Sequence, residues 1–193
     1  MVRAETIAAR RAERRQKLIR AGIDQMGAGD DYQRMTLRSV LSATKLTERY
    51  FYESFAGFSA FVVEVYEAVG AQVIGHLVQA GELTNSTPPP AGVRAAIHAF
   101  VGLCDSDPAL IRTLLVSPLR EPELSMRGVE LSDQFARLAE NTLNISSPDV
   151  RHLTAVGNIG ALTWTSIAYL RSDREFSRVT FVDYCCELAG VNN

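Results

Sequence analysis

The chain has 193 residues with a formal net charge of −2, an apolar fraction of 47% and a charged fraction of 22%. That length and balance describe one compact domain, or a small domain joined to a larger one, and exclude an intrinsically disordered chain. Three cysteines, Cys104, Cys185 and Cys186, two of them adjacent, make no disulfide framework and fit a reducing, cytoplasmic setting.

The first residues are charged and lack the apolar stretch of a signal peptide. The longest weakly polar run, Ala155 to Leu170, is interrupted by Asn158, Thr163, Thr165 and Ser166 and falls short of a membrane span. No membrane partner is expected. The overall charge conceals an asymmetry: residues 1–50 hold 11 Lys and Arg against 6 Asp and Glu, and residues 51–193 hold 9 against 16. Arg3, Arg10, Arg11, Arg14, Arg15, Lys17 and Arg20 crowd the first twenty positions. A basic end on an acidic chain points either to contact with a polyanion or to an ordinary solvated helix face.

Strand signals are nearly absent, and helical periodicity runs almost throughout, so the expected fold class is all-α. Residues 5–27 read as a basic helix with Leu18, Ile19, Ile23 and Met26 inward, broken at Gly27–Asp31. Thr36 has the chemistry to cap a short helix containing Leu37, Val40 and Leu41, and Thr47 to cap a second, Glu48 to Phe55. A long helix follows over 58–80, with Phe61, Val62, Val65, Tyr66, Val69 and Val73 at helical spacing. The segment Thr84–Gly92, with three prolines, reads as a loop. Further helices are expected at about 92–104, 108–116, 122–144, 148–171 and 174–189, and Asp107-Pro108 and Ser147-Pro148 mark two of their starts.

Two short helices around a tight turn, after a basic helix, form the pattern of a helix-turn-helix, whose second short helix enters the major groove. The segment from Thr36 to Phe55, with Leu46-Thr47 at the turn, then Phe51-Tyr52, Phe55 and the long helix from Phe58, resembles the DNA-binding region of the TetR family of transcriptional regulators. The match covers roughly residues 15–65. It implies a DNA-binding domain at 1–57, joined through the fourth helix to an effector-binding and dimerisation domain at 58–193.

Val40, Leu41, Leu46, Phe51 and Phe55 are expected in the core of the small domain. Thr36, Arg38, Lys45, Thr47, Arg49, Tyr50 and Tyr52 are the candidate DNA contacts. Tyr52 resembles the family tyrosine that touches a phosphate; Arg49 and Tyr50 are placed for base edges, arginine favouring guanine. The family usually carries glycine where Lys45 stands, so either Lys45 adopts a strained left-handed backbone or the turn changes shape. It also carries lysine where Phe58 stands, which removes one phosphate contact. The basic arm Arg10–Arg20 is expected to compensate by reaching phosphates or the minor groove.

The same resemblance implies a homodimer on a palindromic double-stranded operator, released by a small effector, and the few charges among the helices that would line its pocket favour an apolar or aromatic one. Tyr66, Phe100, Phe135 and Trp164 are the candidate pocket residues, being large and central on their helices. Val156, Gly160, Ile167, Val179, Val182 and Cys186 are the candidate dimer residues, because the last two helices are apolar on more than one side. No metal site, cofactor or catalytic group is expected: His76, His98 and His152 are isolated, and the cysteines lack zinc spacing. The alternative is a helical ligand-binding or scaffolding protein with weakened or lost operator recognition, which Lys45, Glu48 and Phe58 favour.

Overall fold

A computed structural model describes residues 2–82, 89–171 and 173–191, all helix, turn or coil without strand. The side chain of Arg3 and most of the proline-rich stretch, residues 83–88, lie outside the described residues. The helices are α1 (Val2–Met26), α2 (Leu37–Thr44), α3 (Glu48–Tyr52), α4 (Phe58–Glu82), α5 (Pro89–Ser106), α6 (Pro108–Arg120), α7 (Ser125–Glu140), α8 (Pro148–Tyr169) and α9 (Arg178–Leu188). A single 3-10 turn, Pro122–Leu124, joins α6 to α7. The fold is all-α among the described residues.

Local chemistry explains most of the ends. Thr36 caps α2 in a reciprocal box: the Ser39 amide donates to Thr36 Oγ1 at 3.1 Å, and the Thr36 amide donates to Ser39 Oγ at 3.0 Å. Asp107 accepts from the Leu110 amide at 3.1 Å at the start of α6. Ser177 caps α9 through the Thr180 amide, so that helix begins at Arg178 and not at 174. Thr47 occupies the cap position of α3 but its side chain makes no capping bond. Helix α3 is also shorter than its periodicity implies, ending at Tyr52 in a turn that carries Phe55 inward. Helix α5 starts within the stretch read as loop, at Pro89, where proline fits the first turn because its missing N–H has no partner to lose.

Helix α6 runs on to Arg120 through Pro118. Proline at 118 cannot donate to the carbonyl of Leu114, four residues back. The Tyr66 hydroxyl of α4 donates to that carbonyl at 3.3 Å. A buried tyrosine therefore satisfies the acceptor that the proline leaves open, and burial pushes the Tyr66 phenol up to about 12.

Helix α4 is the central strut, packed on α1, α5, α6 and α7. Phe61, Val62, Val65, Tyr66, Val69 and Val73 are buried on it, in one hydrophobic cluster that runs from Leu18 of α1 to Val191 beyond α9. Its Phe58–Gly81 stretch, with mean hydropathy 1.3, is long and apolar enough to cross a membrane by length and composition. The most span-like segment is thus α4 and not Ala155–Leu170. Of that window 39% is buried, the buried residues falling mainly in its first half, where α4 packs on its neighbours.

Helix α1 meets α6 at contact distance. A Cβ on Gly27 would stand 1.9 Å from the carbonyl oxygen of Ala109, so only glycine fits there. Gly27 is needed for that approach and not for a left-handed backbone, since the described positive-φ residues are Lys45 and Gly190.

Candidate nucleic-acid interface and apolar cavity

Residues 36–55 place two short helices either side of Lys45, whose backbone sits at φ 56° and ψ 29°. The left-handed turn is kept with a lysine in it, at a cost of roughly 1–2 kcal/mol relative to glycine's freedom there. Val40, Phe51 and Phe55 are buried, and Leu41 and Leu46 pack against the core partly covered. Aromatic contacts hold α3 to α4: the Phe51 and Phe61 rings lie 5.3 Å apart and those of Phe55 and Phe61 4.8 Å apart, both edge-on. Phe58 joins this cluster, 6.1 Å from Phe61, so where the resemblance implies a phosphate-binding lysine this chain has a packing residue.

With the phenylalanines inward, the opposite side of α3 faces out. Thr36, Arg38, Lys45, Thr47, Arg49 and Tyr52 are exposed, and Tyr50 is half-buried. Tyr52 keeps 56% of its surface. Tyr50 is covered by Arg14 of α1, whose guanidinium carbon lies 4.3 Å from the ring centre. Glu53 ends the helix as a hub. It accepts from Arg49 Nε at 3.0 Å, stands 3.9 Å from Arg14 Nη2, and its backbone carbonyl accepts from Arg11. The i,i+4 spacing of Arg49 and Glu53 is legible in the sequence; the part played by Arg14 and Arg11, some forty residues away, is not.

The basic arm is helix, as its periodicity implies, but much of the charge expected to reach phosphates or the minor groove is used within the chain. Arg15 pairs with Glu64, and Arg20 with Asp24 and Asp107, in addition to the Arg11 and Arg14 contacts. Arg10 and Lys17 remain exposed on the same helix.

The second feature is a partly open cavity of about 360 Å³ lined by residues of α4 to α9. Its wall includes Leu77 and Val78 of α4, Ile97 and Phe100 of α5, Leu114 and Leu115 of α6, Phe135 and Leu138 of α7, Ile159 and Leu162 of α8, and Cys185 of α9. Every lining residue is uncharged. The polar ones are turned to the backbone: Thr142 Oγ1 donates to Ala139 O at 2.7 Å, Thr163 Oγ1 to Ile159 O at 2.8 Å, and Asn158 Nδ2 to Leu188 O at 2.8 Å. Burial pushes the Cys185 thiol up to about 12, so it meets an occupant as a neutral, weakly polar group.

Of the four residues expected in the pocket, Phe100 and Phe135 line it and Tyr66 and Trp164 do not. Tyr66 points to α6, where the Leu114 carbonyl takes its hydroxyl. Trp164 stands on the outer side of α8 with 64% of its surface exposed. The leucines and isoleucines of the wall escaped notice because an apolar residue facing a cavity has the same helical spacing as one facing a neighbour.

The expected dimer residues also divide. Val156 and Val179 are exposed, at 45% and 66%, and Gly160 is exposed. Ile167 is half-buried. Val182 and Cys186 are buried within the chain, at 6% and 3%, because the inner face of α9 packs on α5, so neither has area to offer a partner. Leu153, Val156, Gly157, Gly160 and Trp164 form one exposed stripe along α8, and no described side chain comes within 4 Å of a Cβ built on either glycine.

Helix α6 links the two features. One face carries Leu114 and Leu115 into the cavity wall. The other is fastened to α1 and the segment after it. Arg20 donates to Asp107, Thr113 Oγ1 donates to the Ile23 carbonyl at 3.1 Å, and Tyr32 donates to Glu121 beneath the Arg120 guanidinium. The Arg20 hydrogen bond holds the Asp107 carboxyl below its ordinary value. Among the described residues, no group of three or more His, Cys, Asp or Glu side chains converges as a metal site would require. A scan against protein-family models and a search of curated proteins each find no match to this chain.

Proposed function

We propose that this protein is a DNA-binding transcriptional regulator of the TetR type, a homodimeric repressor released by a small, neutral, apolar or aromatic ligand. The observation that carries the reading is the two-sidedness of α3. Phe51 and Phe55 fasten it to the core while Arg49 and Tyr52 stand outward beside a left-handed turn. That is the arrangement a groove-reading helix needs: core contacts fix the backbone, leaving donors free for phosphates and base edges. In this reading residues 1–57 form the DNA-binding head and residues 58–193 the effector and dimerisation domain.

The cavity supports the ligand. Its volume is within the range of small-molecule sites, and its uncharged wall with self-satisfied hydroxyls disfavours an ionic occupant. The α8 stripe supports the dimer, since large exposed apolar side chains beside two open glycines suit a helix from a second copy. An occupant pressing on Leu114 and Leu115 acts on the helix that is fastened to α1. A ligand preferring one α6 position therefore biases the separation of the two heads, to the extent that its affinities for the two states differ.

The test is selection from a random-sequence duplex pool. The reading expects enrichment of a palindrome with half-sites about one or more helical turns apart, and binding that weakens steeply with salt. Retention of random duplexes without enrichment, or no retention, would contradict it. One observation favours a second reading, a helical ligand-binding protein without an operator: Arg11, Arg14, Arg15 and Arg20 are engaged within the chain, leaving fewer cations for phosphates.

A further inference from the structure

We propose that Glu53 is a positioning residue for base recognition, which sets Arg49 to read a guanine end-on through its two terminal nitrogens. The inference rests on the DNA-binding reading above and names what that surface reads. Helix α3 is only five residues long; Tyr52 packs edge-on against Phe51 and Tyr50 lies under Arg14, whereas Arg49 has no ring or core contact of this kind. Arg49 is 84% exposed, and a free arginine there would sample many rotamers.

It is held instead. Its Nε donates to Glu53 Oε1 at 3.0 Å, which consumes the side edge of the guanidinium and leaves Nη1 and Nη2 as the outward fork. That fork matches the O6 and N7 acceptors of guanine in the major groove. Glu53 is fixed in turn by α1: Arg14 Nη2 lies 3.9 Å from its second oxygen, Arg11 donates to its backbone carbonyl, and Arg14 also covers the Tyr50 ring.

The same geometry settles the direction in which Glu53 acts. Both its carboxylate oxygens face arginines of this chain, so it serves as a holder of Arg49 and not as an acceptor for a cytosine amino group. An exposed pair of this kind contributes little to folding stability. Its consequence is selectivity. Without Glu53, Arg49 gains freedom to reach phosphates, which carry no sequence information.

The experiment repeats the duplex selection with wild type, Glu53→Ala, Glu53→Gln and Arg49→Lys, with thermal melts confirming that each is folded. Wild type is expected to fix one guanine per half-site. Glu53→Ala is expected to lower that preference about tenfold, with non-specific affinity kept or raised. Glu53→Gln, which retains an acceptor for Nε, restores most of the preference, and Arg49→Lys loses it at the same base.

A Glu53→Ala protein that keeps the guanine preference, or that loses affinity equally for all duplexes, overturns the proposal. Failure of wild type to enrich any sequence overturns the DNA-binding reading instead. The clip itself is then read in the free protein from the 15N relaxation of the Arg49 Nε. It should be ordered in wild type and mobile in Glu53→Ala; equal mobility in the two contradicts the proposal independently of DNA.

Discussion

Lys45 holds a left-handed backbone that favours glycine, and its side chain is exposed, so its cost is not offset by burial. Lys45→Gly relieves that strain but adds chain entropy to the unfolded state, so it is expected to raise stability by a net of about 1 kcal/mol, and Lys45→Val to lower it by about 1–2 kcal/mol, because a β-branched residue crowds this conformation further. Thermal melts check both signs. Asp107, at the start of α6, carries a pH dependence. The Arg20 hydrogen bond lowers its pKa from 3.8, so the stabilisation it adds is present above the unfolded value and is lost as pH falls through the folded one. Asp107→Asn, which keeps the capping acceptor, is expected to be less stable than wild type at neutral pH. The two melting temperatures should converge as the pH is taken below 3.8; a difference that persists in acid would show that the ion pair is not its source. The outward residues of α3 were legible because the phenylalanines beside them declare an inner face. Their internal fastening was not, since Glu53 meets arginines from another helix.

Helix α6 shows how far an element can depart from its sequence signals. The helix was expected at about 108–116, and proline at 118 disfavours its continuation, yet it runs on to Arg120, with Tyr66 supplying the donor that the proline ring lacks. Tyr66→Phe removes that donor and leaves a buried carbonyl without a partner, at an expected cost of about 1–3 kcal/mol in chemical denaturation. A variant as stable as wild type would remove Tyr66 from this role. Helix starts were more legible than helix stops. Caps such as Thr36, Asp107 and a first-turn proline act locally, whereas the ends of α3 and α6 depend on distant partners. Gly27, read as a helix breaker, also turns out to be the place where α1 touches the α6 backbone at a distance no side chain permits.

At the scale of the molecule, the all-α fold followed from periodicity, but the sequence could not tell which apolar faces look inward. The inner face of α9 took Val182 and Cys186, and the outer face of α8 took Trp164. On the proposed dimer this makes Leu153 and Trp164 the residues to change. Leu153→Glu with Trp164→Glu is expected to yield a folded monomer by light scattering at micromolar concentration; a wild-type monomer under the same conditions would contradict the dimer. The proposed DNA-reading surface is formed by Thr36 and Lys45–Tyr52. A 1H–15N titration with the selected duplex maps it: amide shifts are expected to concentrate at Thr36, Arg38 and Lys45–Tyr52 and along the exposed side of α1, and to vanish at high salt. Shifts centred on α7 to α9, or none with any duplex, would contradict it.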